Sequence, residues 1–331
     1  MIRYIIKRIL WLIPVIVCVI TIVFVITTMT PGDPVTAMLG ADAPEASRVA
    51  MTIELGLDKP VITRWFNYVV GFFTRFDLGT SYATRQPVRD ELMTRVPVTL
   101  MLAFASTLIG VAVGIPMGVW SALRQYTWVD NAILVLSVVG ISMPSFWLAL
   151  LLINEFSVNL GWLPSFGITK MSGWVLPVIV ASFAAIAGEV RITRSSMLEV
   201  MRQDYIRTAQ AKGQREGVII MRHMLRNALI PVITSTGAQL GNAIGGNVAL
   251  ETVFSLPGVG NYIVSAIAAR NYSAMEGGIL IIAVIFTLIN LIVDLAYVAA
   301  DPRLKTQLTA KKMSKRSVAL MLKEQEGAVH G

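Results

Sequence analysis

Residues 205–231 read YIRTAQAKGQREGVIIMRHMLRNALIP. Arg207, Lys212, Arg215, Arg222 and Arg226 stand in that window against one acid, Glu216. The surrounding chain is of another kind. Of its 331 residues 55% are apolar and 15% charged, where a soluble domain carries about 25% charged residues. Mean hydropathy is +0.67. A charge at the bilayer centre costs roughly 2.5–3.5 kcal/mol even on insertion scales, so this basic segment must lie outside lipid. The chain is expected to be an all-α polytopic membrane protein, with residues 205–231 as a helical projection at its surface.

Working outward, the N-terminus reads MIRYIIKRIL, and from Ile9 to Ile26 only Thr21 is polar. That run is too long for the h-region of a signal peptide, and no small-x-small cleavage site follows it. It is read as an uncleaved first span, with Pro14 as a possible kink. PGDP at 31–34 is a turn. Two amphipathic helices are expected at 44–55 and 64–76; the second carries Trp65, Phe66, Tyr68, Phe72, Phe73 and Phe76. Such aromatic density suits a membrane–water interface, or a small packed lobe outside it. Further spans are expected at 97–121, 132–157, 174–190, 228–250 and 277–299, each near the ~20 residues needed to cross. Six crossings put both termini on one side.

Charge assigns that side. Of the 28 Lys and Arg, 19 fall in 1–8, 122–131, 191–227 and 301–331. The short loops of the other side hold only Lys170 and Arg270. Both termini and residues 191–227 are therefore expected in the cytoplasm. The net charge of +8 is read as topology, not as nucleic-acid binding. The tail beyond Asp301 is a solvated or lipid-headgroup-bound end.

Within the central segment, Gly213 can end a helix running from Leu198 to Lys212. A second helix can run from Arg215 to Asn227 into the fifth span. The pair is either a docking projection or an ordinary basic loop. On the fifth span Ser235, Gln239, Asn242 and Gly246 share one face, and Gly237, Gly241 and Gly245 another. Small residues four apart let helices approach closely. The polar stripe either lines a wet path or bonds a neighbouring helix. Ser142 and Pro144 mark a break in the third span that suits a pathway position. Asn290 and Asp294, four apart on the sixth span, are functional or structural in equal measure. Glu189, Arg191 and Arg194 are expected to form local salt bridges. Asn154 and Glu155 reach water at the outer end of the third span. The segment 253–272 is a short outer helix, either capping the path or simply interfacial.

Several chemistries find no support. Cys18 is alone, and His223 and His330 lie far apart without Cys or carboxylate clusters, so no metal site is expected. No G-x-x-x-x-G-K-[ST], G-x-S-x-G or H-E-x-x-H stretch occurs. A membrane enzyme is disfavoured, and any ATP-driven cycle needs its nucleotide site from another chain. A stand-alone channel or secondary transporter would show internal inverted repeats, and none is apparent.

YIRTAQAKG followed by HMLRNALIP resembles the EAA loop of bacterial ABC importer membrane subunits, above all the B-type dipeptide, oligopeptide and nickel permeases. Arg207 stands where that loop has its glutamate, and Arg226 where a proline is usual. The resemblance continues in order through MIRYIIKRIL, PGDP, DLGTSYATRQPV (77–88), VGISMPSFWLALLL (139–152), LGWLPSFG (160–167), VFSLPGVGNYIVSAIAARNY (253–272) and NLIVDLAYVAADPR (290–303). It implies the type I ABC importer transmembrane fold: an N-terminal span with an extracytoplasmic region (1–96), a core (97–300) with its coupling loop at about 199–231, and a basic tail (301–331). It implies that Tyr205, Ile206, Arg207, Thr208, Ala209, Ala211, Lys212 and Gly213 form a coupling helix that seats in a cytoplasmic ATPase. It further implies two ATPase subunits that bind ATP and Mg, a homologous C-type permease partner and an extracytoplasmic substrate-binding protein. The implied cargo is di- or oligopeptides, with nickel chelates, glutathione and glycosides as alternatives.

Overall fold

The computed structural model describes residues 2–29, 34–40 and 42–300. The PGDP turn falls largely outside these, as do the basic tail from Asp301 and the side chain of Asp294. Among the described residues the chain is helical, without a strand; an isolated bridge joins Thr80 to Pro87.

The first span is α1 (Ile2–Met29). Two short helices, α2 (Pro34–Leu39) and α3 (Glu45–Glu54), lead to the aromatic-rich α4 (Val61–Arg75). The second span, α5 (Val88–Leu123), starts well before the expected residue 97. The third is broken: α6 (Trp128–Ser142) and α7 (Ser145–Leu152), which continues as a π-helical turn to Asn159, meet at 100°. The cause is Pro144, which has no N–H to continue the ladder and forces Met143 into an extended conformation with ψ 124°. The fourth span is α8 (Val175–Met201), entered through a 3₁₀ turn at Met171–Trp174. Then follow α9 (Asp204–Ala211), α10 (Glu216–Val218), a π-helical turn (Ile219–Leu225) and α11 (Arg226–Gly246). The chain closes with α12 (Val248–Val253), α13 (Val259–Ala268) and α14 (Tyr272–Ala300).

Among the described residues four helices are long and apolar enough to cross, and the bent α6–α7 pair makes a fifth. The expected fifth span, α11, is long enough at 21 residues but too rich in glycine and amide side chains. It packs on α5, α8 and α14.

The most extensive pairing in the bundle joins α5 to α8. A Cβ at Gly110 would lie 2.7 Å from Ala185 Cβ, one at Gly114 2.9 Å from the Ile186 carbonyl oxygen, and one at Gly118 2.8 Å from that of Val190. On the fifth span a Cβ at Gly237 would overlap Val293, and one at Gly241 would press on Phe286 and Asn290, so these two glycines seat α11 on α14. Gly245 meets nothing within 4 Å, so the expected packing stripe stops after two members.

Candidate functional site: the basic projection and the polar face of the fifth span

A single helix from Leu198 to Lys212 does not form. Helix α8 ends at Met201, and Gln203 turns extended with ψ 144° before α9 begins at Asp204. An acid in that first turn suits the helix N-terminus. The far end is where Gly213 places it. Lys212 N–H donates to Thr208 and Gln214 N–H to Ala209, and this six-to-one closure requires the left-handed φ of 68° at Gly213. Gln214 Oε1 and His223 Nε2 then share a hydrogen bond of 2.8 Å, tying the turn to the returning strand of chain. The return is not a plain helix from Arg215 to Asn227. It starts at Glu216 and widens into the π-helical turn before α11.

The eight residues of the expected coupling helix divide by face. Ile206 (1% exposed) and Ala209 (6%) enter a core with Ala122, Met197, Ile219, Met224 and Ala228. These two hold the projection to the ends of α5, α8 and α11 and are not available to a partner. Tyr205, Arg207, Thr208, Ala211, Lys212 and Gly213 are exposed, and so are Arg215, Arg222 and Arg226. The result is a short helix with an apolar root and a basic, polar outer face.

The polar stripe on α11 also divides. Gln239 Nε2 donates to Glu189 Oε1 at 2.8 Å and to Ser235 Oγ at 3.2 Å, and the Thr236 hydroxyl donates to the same Glu189 oxygen at 2.7 Å. Glu189 is 1% exposed. Ser235 and Gln239 thus belong to an interhelical network with α8. Asn242 and Gly246 are exposed and remain as the open part of the stripe. Ser142 and Pro144 are exposed at the α6–α7 break. Asn290 donates to the Phe286 carbonyl of its own helix at 2.9 Å. Glu155 accepts from Asn159 and, with Asn154, is exposed.

Of the three charges where α8 leaves the bundle, Arg194 is the one that forms a salt bridge among the described residues. Its partner is Asp130, not Glu189: Nε meets Oδ1 at 2.7 Å and Nη2 meets Oδ2 at 2.8 Å. Asp130 also accepts from the Ser121 hydroxyl at 2.5 Å and the Tyr126 N–H at 3.0 Å. Arg191 is exposed. Asp130 stands in a W-V-D-N start that reads only as an acid in a first helical turn, so sequence gives it no partner.

A second buried acid organises the turn between α12 and α13. Glu251, 1% exposed, accepts from the Thr99 hydroxyl at 2.7 Å and from Asn261 N–H at 3.1 Å. The SLPGVG turn at 255–260 wraps this carboxylate. A Cβ at Gly258 would overlap it, and one at Gly260 would lie 2.9 Å from Oε2. Thr99 Oγ1 meanwhile accepts from Val259 N–H at 2.9 Å. So α12, α13 and α5 are fastened through one side chain. The glycines of SLPGVG were the visible signal, and the acid they surround was not.

Comparison with known proteins places this arrangement. Residues 114–306 match the family described as binding-protein-dependent transport system inner membrane component, and residues 1–103 match its N-terminal family. The chain is 40% identical over 333 residues to a dipeptide transport system permease protein, DppB, of Alkalihalophilus pseudofirmus, covering 92% of this chain and 100% of that one. It is 38% identical over 305 residues to the glutathione transport system permease protein GsiC of Escherichia coli, covering 92% and 99%. Among solved structures, a chain of the inward-facing MetNI methionine ABC transporter aligns with 63% of this chain and 96% of its own length, at TM-score 0.54 and 20% identity. That likeness carries the fold, the transmembrane architecture of ABC importers. The match along both regions and the shared fold make this chain a multi-pass inner-membrane permease of the binding-protein-dependent ABC transport family.

Proposed function

We propose that this permease carries di- or oligopeptides across the membrane, driven by ATPase subunits that dock on its basic projection. The observation that carries the reading is the division of α9: Ile206 and Ala209 root it in the core while Arg207, Thr208 and Lys212 face outward. A helix held this way can move with the ends of α5, α8 and α11 when a partner pushes it. The chain lacks a P-loop, so ATP and Mg are assigned to two separate ATPase subunits. A homologous second permease subunit and an extracytoplasmic binding protein complete the complex, with both termini and α9 in the cytoplasm.

ATP binding closes the ATPases and favours the outward-facing state, since a ligand shifts a two-state equilibrium only by its differential affinity for the states. The peptide assignment rests on the dipeptide permease relative, and the glutathione permease relative keeps a small peptide-like tripeptide as the second reading. Nickel chelates and glycosides are weaker alternatives. The test is reconstitution of the full complex in liposomes with labelled di-, tri- and pentapeptides and glutathione. ATP-dependent uptake of dipeptide or oligopeptide is expected. Uptake of glutathione alone would move the assignment to the second reading, and uptake without ATP would overturn it.

A further inference from the structure

Two exposed arginines stand at the end of the bundle opposite the projection. Arg85 precedes α5, and Ala122 at the other end of that helix enters the core that roots α9. The helix has 36 residues, about 54 Å at 1.5 Å per residue, so Arg85 and α9 lie at opposite ends. Arg270, between α13 and α14, lies at the same end as Arg85. Asn271 beside it, 4% exposed, donates through Nδ2 to the Ser81 hydroxyl at 2.8 Å and accepts from the Tyr82 N–H at 3.1 Å. Ser81 is the base of the turn that carries Arg85. The Arg85 N–H donates to the Ser81 carbonyl at 2.9 Å, and the Ser81 N–H donates to the Gln86 carbonyl at 2.9 Å. One buried clasp therefore fixes the main chain beneath both arginines.

Each arginine sits where the backbone is left-handed, with φ 57° at Arg85 and 52° at Arg270. That conformation is unfavourable for a residue with a Cβ. At α13 the Asn271 N–H donates to the Ala266 carbonyl at 2.9 Å and the Arg270 N–H to that of Ile267 at 3.1 Å. This is the closure seen at Gly213, where the chain uses glycine. The turns do not need a long cationic side chain, and the fold does not pair it. Among the described residues neither guanidinium makes a hydrogen bond or an ion pair, whereas nearby Arg89 is bound to Asp90 at 3.1 Å. A free guanidinium on rigid main chain suits bidentate recognition of a carboxylate, and little ordering remains to be done on binding.

We propose that Arg85 and Arg270 form the docking platform for the extracytoplasmic binding protein, each gripping a carboxylate on its surface. The partner rests on the complex and orientation proposed above, and on a family whose transport depends on a binding protein. The clasp holds the two main chains well within the ~800 Å² per partner that a standard interface covers. The exposed tip of the turn, Ala83 to Pro87, carries no aromatic or large apolar side chain, so it lacks the anchors of a segment seated in the lipid interface.

The assembled complex is placed in nanodiscs, and its affinity for the purified binding protein is measured by surface plasmon resonance. Arg85→Gly and Arg270→Gly are the decisive variants, because glycine relaxes each turn while removing the charge. Each should weaken binding several-fold and the double variant about tenfold or more, with a melting temperature equal to or above the parent's. Raising salt from roughly 50 to 300 mM should weaken the parent more than the double variant, since exposed charges are screened. Unchanged affinity in the double variant overturns the proposal; if that variant also retains less phosphatidylglycerol in native mass spectrometry, the arginines serve lipid phosphates instead. A lowered melting temperature overturns it too, because the arginines would then be parts of the fold. Failure of the wider reading looks different: a parent complex that binds no such protein removes the partner itself, and the docking with it, before any variant is compared.

Discussion

Arg194 of α8 grips both carboxylate oxygens of Asp130 on α6, at 2.7 and 2.8 Å, while Ser121 of α5 donates to the same acid. Three membrane helices are thereby joined beside the core that roots α9, since Ala122 and Met197 belong to that core. Removing one member of a buried pair strands the other, which typically costs about 3–5 kcal/mol. Arg194 retains 19% side-chain exposure, so the lower end, about 3 kcal/mol, is expected for Asp130→Ala. The Asp130→Ala/Arg194→Met double variant should recover part of that loss. Thermal unfolding of the purified protein in micelles checks both; equal melting temperatures for single and double variants would refute the stranded-charge account.

The outer face of α9 should be separable from its root. Arg207→Glu with Lys212→Glu changes exposed charge only, so stability should hold while co-purification of the ATPases is lost. Ile206→Asp places a carboxylate in a position 1% exposed and should lower the melting temperature sharply. If the charge-reversed protein still retains its ATPases fully, docking through this face is wrong.

Glycine positions on α11 should rank by what faces them. Gly237→Val overlaps Val293 and should destabilise by about 1–3 kcal/mol, as overpacking does. Gly245→Val meets nothing within 4 Å and should melt within a degree or two of the parent. Reversal of that order would mean that α11 packs elsewhere in the assembled protein.

Exposed and networked members of the polar stripe should differ in labelling. With Cys18 replaced, a cysteine at 242 should react with a water-soluble maleimide during turnover, and one at 239 far more slowly. Position 241, packed on α14, should stay unreactive. An unreactive 242 would take Asn242 off the translocation path.

Glu251→Ala should loosen the turn between α12 and α13. It leaves the Asn261 N–H and the Thr99 hydroxyl without their acceptor, at about 1–3 kcal/mol for each buried group left unpaired. Glu251→Gln keeps an acceptor and should lose less. Hydrogen exchange at 258–262 would show the difference, and indistinguishable exchange in the two variants would count against the wrapping role.

Local chemistry made much of this legible. The basic window at 205–231 located the projection, Gly213 its sharp turn, and Pro144 the break in the third span. Gly237 and Gly241 announced a close helix contact, but their spacing could not say where the partner helix ends, and Gly245 lies past it. The same four-residue spacing at 110, 114 and 118 is as visible in the string, and it marks the most extensive pairing, α5 on α8. What sequence could not supply was pairing across distance. Asp130 with Arg194 spans 64 positions and Glu251 with Thr99 spans 152. Both acids are surrounded by residues that point to no partner. For Gln239, periodicity gives a face, with a wet path or a neighbouring helix as what could stand opposite it; the Glu189 carboxylate stands there.

The seating of α5 on α8 also bears on how this chain can vary. Every amino-acid-changing single-base substitution of a glycine codon brings in a side chain with a Cβ. At Gly114 and Gly118 that atom would meet a main-chain carbonyl oxygen at 2.9 and 2.8 Å, and a main chain cannot be swapped for something smaller. No second mutation opposite can therefore rescue the first. In a saturation library selected for uptake, codons 110, 114 and 118 should come back as glycine alone, while codons 217 and 245, with nothing within 4 Å, should come back mixed.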